Sequence, residues 1–222
     1  MESISGLEKR PSGFSLPVLR TRYSSGECYI AESSSILEYL EDIFPASRGF
    51  ANLRGEDYVQ TAKIRDIVQL VNELLTWCNV HVRHSTEFSL LWSGMTKEQQ
   101  SLMASGYARL QITKLLDRLQ LWTEGNITNS LTGAKRPNLA DVTVAAAKTS
   151  MEEIYGIQIF EGFPKLDAWW NQYSSSEWFV SRSEIDLIET GRLQILTQGD
   201  GNQSTEKKPS SRMGSYRYGA PR

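Results

Sequence analysis

Apolar residues change rhythm twice along this chain. Between residues 14 and 31 they cluster in two short runs, "FSLPVLRT" (14–21) and "ECYIA" (27–31), separated by "YSSG" (23–26). Such runs bracketed by Ser and Gly predict two strands, and so short a connection predicts an antiparallel hairpin. Gly26 suits the turn, because a positive φ costs it nothing. Pro17 has no N–H for the ladder, which places it at an edge, a bulge or a bend.

From Ser34 the spacing becomes helical. Ile36, Leu37, Leu40, Ile43 and Phe44 form one stripe, and Pro45 ends it. Ser35 and Glu38 have the spacing of a capping box. Residues 46–55 have linker composition, and beyond them every pattern is helical. Residues 57 to about 82 are amphipathic through Ile67, Val71, Leu74 and Cys78. "TKEQ" (96–99) reads as a capping box opening a helix to about Trp122. "NLADVTVAAA" (138–147) has Asn138 as a good N-cap and Asp141 in the first turn. Its apolar residues face all round, which predicts a buried central helix. Pro164 suits the first position of "PKLDAWWNQY", and a further helix follows in 175–193. Trp169, Trp170, Tyr173, Trp178 and Phe179 stand at helical spacings and read as core and lid packing.

Composition narrows the class. The chain has 222 residues, a formal net charge of -2 and 40% hydrophobic residues, ordinary values for a globular protein. The balance points away from nucleic acid and anionic membranes, and no apolar run is long enough to span a bilayer. The start of the chain shows no apolar secretory segment. Two cysteines, Cys28 and Cys78, form no disulfide framework and suit a reducing, cytoplasmic location. The last 25 residues hold five bases and two acids in a Gly/Ser/Pro background, the composition of a disordered basic tail. Cys78, His81 and His84 share helical spacing, but a metal site needs a fourth ligand, so a helix end is preferred to a metal.

Four segments, in order and in register over residues 14 to 190, resemble the cytosolic glutathione transferases. "LPVL" (16–19) resembles that family's "VPVL" strand, whose proline is cis. "AESSSILEYLEDIFP" (31–45) is similar to its "ESxAIxxYL" segment. "LTGAKRPNLADVTVAA" (131–146) is similar to "LxGxxxTxADxxxAA", and "FPKLDAWW" (163–170) to its "FPxLxxWxxR" helix.

The resemblance implies an α+β fold. A partial thioredoxin-like domain (1–45, a hairpin plus helix) is followed by a linker (46–55), an all-α domain (56–197) and the tail (198–222). It implies glutathione as co-substrate without a metal. Pro17 and Val18 would pair with the cysteinyl part, and Glu32 and Ser33 would hold the γ-glutamyl end. A helix N-terminus suits that carboxylate, and Glu32 suits the ammonium. It also implies a small apolar or aromatic electrophile near Trp77, His81 and His84, a structural N-cap at Asn138 and Asp141, and a homodimer.

The family's activating Tyr, Ser or Cys lies in a strand–helix–strand unit ahead of "LPVL". Such a unit takes about 30 residues, whereas 15 precede Leu16. Ser3, Ser5, Ser12 and Ser15 follow no predicted strand, so no catalytic residue is named. Three accounts stay open: a coding sequence that continues upstream, a shortened protein without activity, and a dimer that covers the gap. The rival to the enzyme reading is therefore a non-catalytic module for dimerisation or docking.

Overall fold

A computed structural model describes Gly13 and residues 17–24, 26–123 and 130–187. They fall into two compact units, Leu40–Phe179 and the residues on either side of it.

The flanking unit holds the hairpin. Strands β1 (Val18–Tyr23) and β2 (Gly26–Ala31) pair antiparallel, with Val18 opposite Ala31 and Tyr23 opposite Gly26. The first strand thus starts at Val18 and extends two residues beyond the expected end at Thr21; residues 14–16 lie outside the described residues. Gly26 adopts φ 135°, a conformation that suits glycine. Helix α1 (Ser33–Ile43) follows directly and crosses the division between the units. The hydroxyls of Tyr23 and Tyr39 meet at 2.7 Å and tie the hairpin to α1.

Helix α1 starts earlier than its sequence suggests. Ile36 N–H donates to the Glu32 carbonyl at 3.0 Å, so Glu32 sits at the cap and Ser35 lies inside the helix. The expected Ser35–Glu38 box therefore does not begin α1. A cap needs non-helical backbone, and here Glu32, at φ 65°, supplies it.

The second unit is helical: α2 (Tyr58–Ser85), a short α3 (Leu90–Ser93), α4 (Leu102–Trp122), α5 (Leu139–Thr149) and α6 (Pro164–Tyr173). In α2, Ile64, Ile67, Leu70, Val71, Leu74, Cys78 and Val82 are buried at steps of one, three and four. They meet Ala108, Ile112, Leu115, Leu116 and Leu119 of α4, which are also buried. Full burial of one such side chain stabilises by about 1.5–3 kcal/mol. The helix α5 is central as expected, with Leu139, Ala140, Val144, Ala145 and Ala147 buried.

Two expectations need correction. The "TKEQ" box closes only a 3-10 turn over Lys97–Gln99, where Thr96 N–H donates to Gln99 Oε1 at 2.9 Å. The long helix starts five residues further on, where Ser101 caps Ala104 N–H at 3.2 Å. Gln100, extended at ψ 141°, breaks the path between them. The segment 46–55 is also more than a linker. It holds a 3-10 turn, Ala46–Arg48, and packs inside the helical unit. Leu53 N–H donates to Glu41 at 3.2 Å, and its carbonyl accepts from Leu139 N–H at 3.0 Å.

After α5 the backbone widens into a π-turn, Ser150–Ile154. Lys148 is 4% exposed beside it. Its ammonium pairs with Glu152 and lies 4.4 Å from the Trp170 ring centre. A further helix covers residues 182–187. Ahead of it, 175–181 form turns and irregular backbone where a helix was expected; residues 188–193 and the tail from 198 lie outside the described residues.

Candidate functional site

The expected glutathione residues come together through the hairpin register. Val18 opens β1 and Ala31 closes β2, and the two are paired. Pro17 immediately precedes Val18, and Glu32 and Ser33 immediately follow Ala31. One end of the hairpin therefore gathers all four. Glu32 and Ser33 are exposed, and Val18 is half-buried.

Glu32 is the only non-glycine with a positive φ among the described residues, at 65°. A left-handed Glu is unfavourable by about 1–2 kcal/mol, and such conformations cluster at ligand-holding positions. With the Glu32 carbonyl engaged by Ile36, the N–H groups of Ser33, Ser34 and Ser35 open the helix without intrahelical partners. Three donors, the positive end of an 11-residue helix and a serine hydroxyl make a site for a carboxylate. The Glu32 carboxylate adds a complement for an ammonium group.

The candidate electrophile residues sit on the seam between α2 and α4. Trp77 and Tyr107 meet edge to face at 5.6 Å. His81 Nδ1 lies 2.9 Å from Ser105 Oγ and 3.3 Å from its carbonyl. His84 Nδ1 accepts from Ser101 N–H at 3.2 Å. Both imidazoles bond across two helices, contacts that residue spacing within α2 does not reveal. Burial pushes the Cys78 thiol up to about 12, which keeps it protonated beside them. Among the described residues, no group of three His, Cys, Asp or Glu is placed to hold a metal ion.

Asn138 and Asp141 form the expected N-cap. Asn138 N–H donates to Asp141 Oδ2 at 2.8 Å, and Asn138 Oδ1 accepts from Ala140 N–H at 3.0 Å. Asp141, fully buried, also accepts from Ser130 Oγ (2.8 Å), Leu131 N–H (2.8 Å) and Trp169 Nε1 (3.0 Å). Burial raises the carboxyl's pKa, and these four donors oppose the rise. Ser130, Leu131 and Trp169 were missed as partners because 10 or more residues separate each from Asp141.

By sequence, no family profile and no curated protein matches the chain. By structure, a glutathione transferase from Methylobacillus flagellatus with bound glutathione matches at a TM-score of 0.58. It is 18% identical, over 74% of this chain and 73% of that one. The chain has the glutathione transferase fold. A maleylacetoacetate isomerase from Anaeromyxobacter dehalogenans, with glutathione in its active site, shares the glutathione transferase fold at a TM-score of 0.54. Its identity is 19%, over 76% of this chain and 70% of that one. A Gtt2-class enzyme from Vibrio parahaemolyticus matches at 0.54 and 17% identity, over 81% of each chain. The expected architecture, a partial thioredoxin-like part and an all-α part, is thus the observed one. No helix among the described residues is long and apolar enough to cross a membrane.

Proposed function

We propose that this chain is a member of the glutathione transferase superfamily that binds glutathione at Pro17, Val18, Glu32 and Ser33. It conjugates or isomerises a small apolar or aromatic electrophile, in detoxification or secondary metabolism, as a cytoplasmic homodimer without a metal. The observation that carries the reading is the pairing of Val18 with Ala31, which sets a strand edge beside a left-handed Glu and an open helix N-terminus. The backbone of Val18 takes the cysteinyl amide, the N–H groups of 33–35 take the γ-glutamyl carboxylate, and Glu32 takes its ammonium. Two solved proteins of this fold hold glutathione, which supports the assignment.

The rival reading is a non-catalytic module of the same fold. A glutathione thiol, with a reference pKa near 8.5, needs a hydroxyl or thiol donor to favour its thiolate. In the hairpin unit, the hydroxyls of Tyr23 and Tyr39 bond to each other, which commits one of their two protons.

Calorimetric titration of glutathione into the full chain, repeated with Glu32→Ala and Ser33→Ala, tests the binding site. Saturable heat that weakens in both variants is expected, and no heat with the parent overturns the reading. Turnover of an aromatic halide with glutathione separates the enzyme from the module.

A further inference from the structure

The short helix α3 carries an aromatic corner of the helical unit. Phe88, Leu91 and Trp92 are spaced i, i+3 and i+4 and share one face of this turn. Tyr155, at the end of the π-turn, joins them: its ring lies 6.0 Å from that of Phe88 and 6.5 Å from that of Trp92. The corner faces solvent, with Leu91 81% and Phe88 50% exposed. It is also held in place from beneath. Ser89, fully buried, donates its Oγ–H to the Thr86 carbonyl at 2.7 Å, and Gln100 Nε2 donates to the carbonyls of Arg83 and Thr86, each at 2.9 Å. An exposed apolar patch marks a contact site, and one that is already ordered loses little freedom on docking.

Two charges of opposite sign flank the rings. The Arg83 guanidinium, from the last turn of α2, lies 5.3 Å from the Trp92 ring centre. Glu153 is exposed in the π-turn, two residues before Tyr155. The neighbouring ions are committed, Glu87 to Lys97 at 2.7 Å and Glu152 to Lys148. Among the described residues, Arg83 and Glu153 stand in no ion pair. Trp, Tyr and Arg together are the residues that dominate the centres of protein interfaces.

We propose that this corner docks a second copy of the chain about a two-fold axis. The proposal rests on the homodimer reading for the existence of the partner and adds the face through which it binds. A two-fold contact is self-complementary, since residue i meets residue j and j meets i. Arg83 then pairs with the partner subunit's Glu153, and Glu153 with the partner subunit's Arg83. Two ion pairs thus bracket a centre of Phe88, Leu91, Trp92 and Tyr155. A partner of one charge would satisfy one of the two groups and be repelled by the other, whereas a second copy satisfies both.

Sedimentation velocity of the full chain over a concentration series tests this, with four variants. The parent should sediment as a dimer. Arg83→Glu and Glu153→Arg each set like charges against each other twice across the axis, and each should weaken association by at least about tenfold. The double reversal, Arg83→Glu with Glu153→Arg, restores opposite charges and should recover the dimer. Leu91→Asp, which puts a carboxylate into the apolar centre, should weaken it as the single reversals do. All three side chains are exposed, and circular dichroism checks that each variant folds. Dimerisation unchanged in the single reversals and in Leu91→Asp, or a double reversal as weak as the singles, would overturn this surface and leave the homodimer standing. A parent that stays monomeric up to about 100 µM would remove both. Glutathione titrations of the same variants should match the parent, because none of these residues is among Pro17, Val18, Glu32 and Ser33, so the glutathione reading stands or falls by its own measurement.

Discussion

The Trp169 indole donates its Nε1–H to Asp141 Oδ1 at 3.0 Å across 28 residues of sequence. This bond joins α6 to the N-terminus of α5 inside a site that contains no exposed atom of either residue. Asp141→Ala would leave four donors unpaired in the core. Since one stranded buried group costs about 1–3 kcal/mol, the loss should exceed about 3 kcal/mol, seen as a lower urea midpoint. Trp169→Phe removes one donor and should cost less. A double-mutant cycle should give a coupling of about 1 kcal/mol or more.

Glu32 offers a test in which stability and binding part ways. Glu32→Ala and Glu32→Gly both remove the carboxylate, and both should weaken glutathione binding to a similar degree. Only Gly accepts φ 65° without strain. The Gly variant should therefore be more stable than the Ala variant by about 1 kcal/mol, measured by thermal or urea unfolding. Equal stability would mean that the left-handed backbone at Glu32 carries no strain.

Cys78 should make the fold sensitive to alkali. Its thiol is raised from 9.0 to about 12 by burial, so the folded state keeps a proton that the unfolded state releases. The stabilisation is complete below about pH 9 and is lost progressively as pH rises toward 12. Cys78→Ala should flatten that slope in unfolding curves measured between those limits. A thiol reagent at neutral pH should modify exposed Cys28 in the native protein and reach Cys78 only on unfolding.

The Lys148–Glu152 pair should respond unequally to single and double substitution. Their side chains are 6% and 18% exposed. Glu152→Ala leaves a buried ammonium with aromatic rings alone and should cost about 3 kcal/mol. Lys148→Met with Glu152→Gln removes both charges at similar volume, and should recover most of that loss in the urea midpoint.

Legibility in the sequence followed the range of the interactions. The Asn138 cap was readable because its partners Ala140 and Asp141 lie within three residues. The central burial of α5 was readable because Val142 to Ala147 offer no polar face. The start of α4 was misread: Thr96 and Gln99 do form their local bond, yet Gln100 leaves the helical path and Ser101 caps instead. The start of α1 was misread because any of three consecutive serines could cap, and the choice was made by Glu32 adopting a conformation that its residue type disfavours. The roles of His81 and His84 depend on Ser105 and Ser101, a full helix away. Spacing within α2 could not place them.

The pairing of Tyr23 with Gly26 leaves two residues to reverse the chain. Side chains alternate across a strand, so a one-residue change of register would turn every β2 side chain to the opposite face. It would also carry Glu32 and Ser33 about 3.4 Å along the strand relative to Val18. An insertion between Tyr23 and Gly26 would then detune the proposed glutathione site from the far end of the hairpin, leaving Pro17, Val18, Glu32 and Ser33 unchanged. In the proposed glutathione site, loop length is thus a ruler for ligand geometry.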